Sequence, residues 1–149
     1  SLILVDPEFS DNEWRDDVIK FVFNFLDKNV LITSENSSLD MIPKFDKYAF
    51  VFIDSGTHCD NLAIDESRLL KDKMIPGGII AYHDFGNQFQ KPREAAEYLV
   101  STGEYDWVNI DWNEIFDYVR TNNLEENNNS WHEKGSNEFP CYIGAVRKK

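Results

Sequence analysis

The sequence has 149 residues, 42% of them hydrophobic, with eleven Phe, six Tyr and four Trp, enough apolar mass for one packed domain. Fifteen basic residues against 27 acidic ones leave a formal charge of -12, a field that repels phosphate backbones and anionic lipid and so argues against nucleic-acid and membrane partners. No apolar run reaches the roughly 18 to 20 residues that span a bilayer, no stretch resembles a secretory leader, and Cys59 and Cys141 lie far apart without CxxC spacing, so a soluble cytoplasmic protein is expected.

Leu2 to Val5 is a continuous apolar run closed by Asp6-Pro7, short enough for a strand buried on both faces. Ser10 or Asp11 then supplies an N-cap, and Val18, Phe21, Val22, Phe25 and Leu26 recur at helical spacing. A second strand is expected over 29–33, followed by the polar stretch SENSS and a brief apolar turn, LDMIP. Tyr48 to Ile53, YAFVFI, is the most hydrophobic segment and runs straight into Asp54-Ser55-Gly56, as a central strand would. In DNLAIDESRLLKDK, Leu62, Ala63, Leu69 and Leu70 fall on one approximate helical face with Ile64 beside it, and Pro76-Gly77-Gly78 reads as the stop. A strand over 78–83 follows and ends on His83-Asp84. KPREAAEYLVSTG predicts a helix with Pro92 near its first turn and Gly103 as terminator. YDWVNIDW and CYIGAVRKK are expected as the last two strands of a single domain over 1–149. Between them an Asn-rich, weakly patterned stretch predicts a mobile insertion at about 121–138.

Strands alternating with helices imply parallel strands joined by right-handed crossovers. In such sheets the ligand crevice lies at the carboxyl ends of the strands. Asp6, Asp54 and His83-Asp84 each sit at such an end, where one crevice would gather them. Each also has a plainer reading. Asp54 and Asp84 could cap the turns that follow them, His83 could be a strand-end histidine bonded to a carbonyl, and Asp6 before Pro7 is a common turn opener.

FVFIDSGTH, the helix after it, and MIPGGIIAYHDF together resemble the second half of the class I S-adenosylmethionine-dependent methyltransferases. They are most similar to small-molecule O-methyltransferases, whose fourth strand ends in Ile-Asp-Gly-x-His and whose fifth follows Pro-Gly-Gly and ends in His-Asp. LILVDP resembles that family's second strand, NSSLDMIP its third-strand loop, and CYIGAVRKK its last, antiparallel strand, so the likeness covers residues 2 to about 103 and 141–149. It implies an α/β fold with a Rossmann-like, doubly wound, mostly parallel sheet and an antiparallel last strand. Two departures stand out. The family's first strand and Gly-rich loop have no counterpart here, and Thr57 occupies the place of the family histidine, with His58 one residue later.

The resemblance further implies S-adenosylmethionine as cofactor, with Asp6 on its ribose, Ser37 and Ser38 lining its adenine, and Asp54 also among the cofactor contacts. Metal-dependent relatives coordinate a divalent ion at the ends of the fourth and fifth strands, which makes Asp54 and Asp84 the metal-ligand candidates, with Asn87 available to complete the site. Carboxylate oxygens suit Mg2+, and a bound cation lowers the pKa of an acceptor hydroxyl. His83 and His58 are the candidate catalytic residues, and His83 also suits a transition metal. The acceptor implied is a small hydroxylated molecule, a sugar or a phenol. The alternative is a degenerate methyltransferase fold used as a binding or assembly module without catalysis. A sheet lacking a strand leaves an edge that favours a homodimer.

Overall fold

The structure, a computed structural model, describes residues 2–5, 30–33, 37–55, 60–85, 90–110, 121 and 143–149. The chain divides into two compact units, Ser1–Asp46 and Lys47–Lys149. In the first, β1 (Leu2–Val5) and β2 (Val30–Thr33) pair in parallel, with Leu2 opposite Val30 and Val5 opposite Thr33. Both strands fall where the apolar runs predicted them. LDMIP is more ordered than a turn. It forms helix α1 (Ser38–Met41) and then a 3-10 turn (Ile42–Lys44), which bury Met41 and Ile42. Pro43 sits at the start of the 3-10 turn, where a missing N–H costs no internal bond. The helix expected around residues 18–26 lies outside the described residues, as does nearly all of the expected insertion.

The second unit is built on β3 (Tyr48–Ile53), β4 (Met74–Tyr82), β5 (Tyr105–Trp107) and β6 (Gly144–Lys148), in the sheet order β3-β4-β6-β5. β3 and β4 are parallel, and β6 runs antiparallel to β4 and to β5. Helix α2 (Leu62–Leu70) links β3 to β4, and α3 (Gln90–Ser101) links β4 to β5. Both crossovers advance in the same direction across the sheet, so right-handed connections put both helices on one face. The core lies there: Leu70, Ile80, Tyr82, Leu99 and Val146 are fully buried. This is the Rossmann-like mixed sheet expected from the sequence, with its antiparallel last strand.

Three details differ from expectation. β3 takes the outer position in this sheet, with β4 as its neighbour among the described residues. Phe50 and Phe52, two apart and therefore on one side of the strand, are 62% and 47% exposed. The buried stripe of α2 is Ala63, Glu66, Ser67 and Leu70, a regular i, i+3, i+4, i+7 set that takes in two polar residues and leaves Leu69 exposed. Pro76-Gly77-Gly78 is not a helix stop but a bulge inside β4. Tyr48 pairs with Met74, whereas Phe50, only two residues on, pairs with Ile79. Gly77 has φ 78°, and a Cβ on Gly78 would stand 2.9 Å from the Ile75 carbonyl oxygen and 3.2 Å from that of Ala49. The bulge therefore needs glycine at both positions. α2 has already ended, with Lys71 N–H donating to Ser67 O at 3.0 Å and Lys73 N–H to Leu70 O at 2.9 Å. α3 follows expectation: Pro92 lies near its start, and Gly103, at φ 77°, donates its N–H to Val100 O at 3.0 Å.

Candidate metal centre

β3 and β4 end side by side. The His83 N–H donates to the Ile53 carbonyl at 2.9 Å, one step beyond the last strand pair, and this brings Asp54 alongside His83. His83 Nδ1 lies 3.2 Å from Asp54 Oδ1 and 3.1 Å from Asp84 Oδ2. A regular strand would send consecutive side chains to opposite faces. Asp84 breaks that alternation by adopting φ 51°, in the left-handed region, at a cost on the order of 1 kcal/mol that Asp tolerates better than most residues. Two carboxylates and an imidazole thus converge, with their donor atoms all within 4.8 Å of one another.

Neighbouring residues of α2 hold both arms of this cluster. Ser55, directly after Asp54, donates its hydroxyl to Glu66 Oε2 at 2.5 Å. Tyr82, directly before His83, lies 2.7 Å from Ser67 Oγ. Ser67 gives its one hydroxyl proton to Ala63 O at 2.7 Å, so Tyr82 is the donor in that pair. Burial pushes the Tyr82 phenol well above its ordinary pKa, the Ser67 bond opposing in part, so Tyr82 stays a neutral donor. Beyond the cluster Phe85 covers Gly144 and meets Tyr82 and Trp107, with ring centroids 6.5 and 5.9 Å away. Phe52 presents its ring to that of His83 in an edge arrangement at 6.1 Å.

The donor set fits a divalent cation. Bonds of about 2.1 Å place adjacent octahedral donors about 3.0 Å apart and opposite donors about 4.2 Å apart. The spacings of 3.1 and 3.2 Å match adjacent positions. Nδ1 is closed off from water, whereas the Asp54 side chain is 48% exposed, so one side of the cluster stays open.

Of the candidates named from the sequence, the structure brings together Asp54, His83 and Asp84. Ser37 and Ser38 belong to the other compact unit. There Ser37 caps α1, its hydroxyl donating to Asp40 Oδ2 at 2.8 Å and accepting from the Asp40 N–H at 3.3 Å, and Ser38 is the first helical residue. Asp6, His58 and Asn87 lie outside the described residues. The sequence reading did not single out Ser55, Glu66, Ser67, Phe85 or Gly144. One available signal was the polar pair Glu66-Ser67 in the middle of an amphipathic helix.

No protein-family model and no curated protein sequence matches the chain. Solved structures do share its fold. A protein assigned as an rRNA methylase from Clostridium thermocellum matches with a TM-score of 0.56 and 13% identity, over 99% of this chain and 74% of its own. A protein assigned as a methyltransferase from Thermoplasma acidophilum gives 0.52 and 13%, over 100% of this chain and 57% of its own. The O-MT segment of StiE gives 0.53 and 16%, over 100% and 59%. The chain thus spans less than two thirds of the latter two. With these neighbours and the sheet order above, the fold is that of the class I methyltransferases.

Proposed function

We propose that the chain is an S-adenosylmethionine-dependent methyltransferase acting on a hydroxyl of a small acceptor, a sugar or a phenol, with a divalent cation at Asp54 and Asp84. The observation that carries this reading is the convergence of Asp54, His83 and Asp84 at the carboxyl ends of parallel strands in a methyltransferase fold. In the net reaction the acceptor oxygen bonds to the methyl carbon, the donor's carbon–sulfur bond breaks, and the hydroxyl proton leaves. A bound cation would lower the pKa of that hydroxyl. Asp54 and Asp84 supply the oxygen donors, and the open side next to Asp54 admits an acceptor. Asp6 on the cofactor ribose, Ser37 and Ser38 near its adenine, and His58 as proton acceptor complete the reading.

Isothermal titration of the full chain with S-adenosylmethionine, with and without a divalent ion and beside Asp6→Ala, tests it. Micromolar binding that is lost in the variant is expected. Labelled-methyl transfer to a panel of sugars and phenols should then fall about a hundredfold or more in Asp54→Asn and Asp84→Asn. No heat up to millimolar cofactor would overturn the proposal. A second reading, a non-catalytic docking module on the same fold, draws on the exposed Phe50 and Phe52, and that null titration is the result it predicts.

A further inference from the structure

We infer that His83 is the third protein ligand of the cation site, and that its nitrogen makes the site prefer divalent first-row transition ions, the series from Mn2+ to Zn2+, over Mg2+. This rests on reading Asp54 and Asp84 as cation ligands and is independent of methyl transfer.

The argument begins with one nitrogen facing two carboxylates. Nδ1 lies 3.2 Å from one carboxylate oxygen and 3.1 Å from the other. A single N–H points along one N···O line only, so a proton on Nδ1 serves one oxygen well and leaves the other facing nitrogen without a hydrogen between them. A cation at the shared point is bonded by all three groups at once. The imidazole is also held in place for this. Its backbone N–H is fixed to Ile53 O at 2.9 Å, its ring packs against that of Phe52, and the preceding Tyr82 is anchored to α2 through Ser67. Asp84 takes up a left-handed backbone to face the same point. An all-oxygen set would suit Mg2+, which dehydrates reluctantly and keeps oxygen ligands. Replacing one oxygen by imidazole moves the preference toward ions that bind nitrogen well. With three protein donors and an exposed Asp54, positions remain for water or an acceptor oxygen.

The test uses the full chain stripped of metal and titrated with Mn2+, with Mg2+ measured by competition. One Mn2+ is expected to bind at least about tenfold more tightly than Mg2+, and pulsed electron paramagnetic resonance should show coupling to one imidazole nitrogen. His83→Gln keeps an oxygen donor, so it should lose the nitrogen coupling and narrow the preference to about threefold. Asp54→Asn should weaken both ions. Mn2+ bound without nitrogen coupling, an unchanged preference in His83→Gln, or Mn2+ retained at full affinity in Asp54→Asn would each overturn the inference. Circular dichroism in chelator checks the fold of each variant. Should His83→Gln not fold, the nitrogen coupling of the unsubstituted chain decides alone. If no divalent ion binds, this inference and the cation in the proposed function fall together, while the cofactor titration still decides methyl transfer.

Discussion

Gly144 has no side chain, and the ring of Phe85 occupies the place where one would begin. Phe85 directly follows Asp84, so this close approach is also a positioning contact for the cluster. Gly144→Ala is expected to push Phe85 away from β6 and to lower stability by about 1–3 kcal/mol, read from the urea midpoint. Gly144→Ala combined with Phe85→Leu should recover part of that loss, because the smaller side chain leaves room for the new methyl group. A double-mutant cycle with purely additive losses would show that the two residues do not press on each other. The sequence indicated that an acid would close β4, since strand ends in parallel sheets face the crevice. It placed His83 and Asp84 in one crevice, but did not indicate the backbone turn by which two consecutive side chains come to face one point. That depends on one φ of 51°, which no periodicity encodes.

Helix α2 serves two strands through consecutive residues, Glu66 on the β3 side and Ser67 on the β4 side. Ser67→Ala leaves the buried Tyr82 hydroxyl without its acceptor and is expected to cost about 1–3 kcal/mol. Tyr82→Phe removes the donor instead, and Ser67 keeps its bond to Ala63 O, so about 0.5–1.5 kcal/mol is expected. Denaturant unfolding of the two variants checks the order, and a larger loss in Tyr82→Phe would contradict this account. The same pair explains what was legible in the sequence. β1, β2, β3 and α3 were readable because apolar runs, a proline near a helix start and a terminal glycine act locally. The buried face of α2 was misread because hydrophobicity alone marks the inside, while Glu66 and Ser67 are inside for their hydrogen bonds. The exposure of Phe50 and Phe52 could not be read from YAFVFI either, since an apolar run does not say how many faces of its strand are covered.

Over the whole molecule, 27 acidic residues against 15 basic ones make each well-placed cation matter. At the end of the sheet opposite His83, Glu104 takes hydrogen bonds from both Lys148 and Lys71, the latter at 3.0 Å, and Tyr105 donates to Lys71 O at 2.6 Å. This joins the end of α2 to β5 and β6. The hydrogen bond from Lys148, followed by that from Lys71, holds the Glu104 carboxyl below its ordinary pKa of 4.5, and the bond to Glu104 raises Lys71. A folded-state pKa below the unfolded one gives a contribution that is complete above pH 4.5 and is lost as pH falls through the folded value. Lys71 has the opposite sense, contributing below its ordinary 10.5 and losing that as pH rises through its folded value. Glu104→Gln should therefore flatten part of the acid limb in a series of urea midpoints from roughly pH 6 down to 3, less so in high salt because the pairs are partly open to solvent. An acid limb identical in the two proteins would remove Glu104 from the account.

The bulge at residues 76–78 divides β4 into two parts with different tolerance to changes in length. Upstream and downstream pairing with β3 are already out of step by three residues. A residue gained within the bulge, with Gly77 and Gly78 kept, alters chiefly how much chain is looped out. Between residues 79 and 82 no such slack exists, and there a single insertion or deletion would exchange the faces of every following side chain and carry His83 away from Asp54.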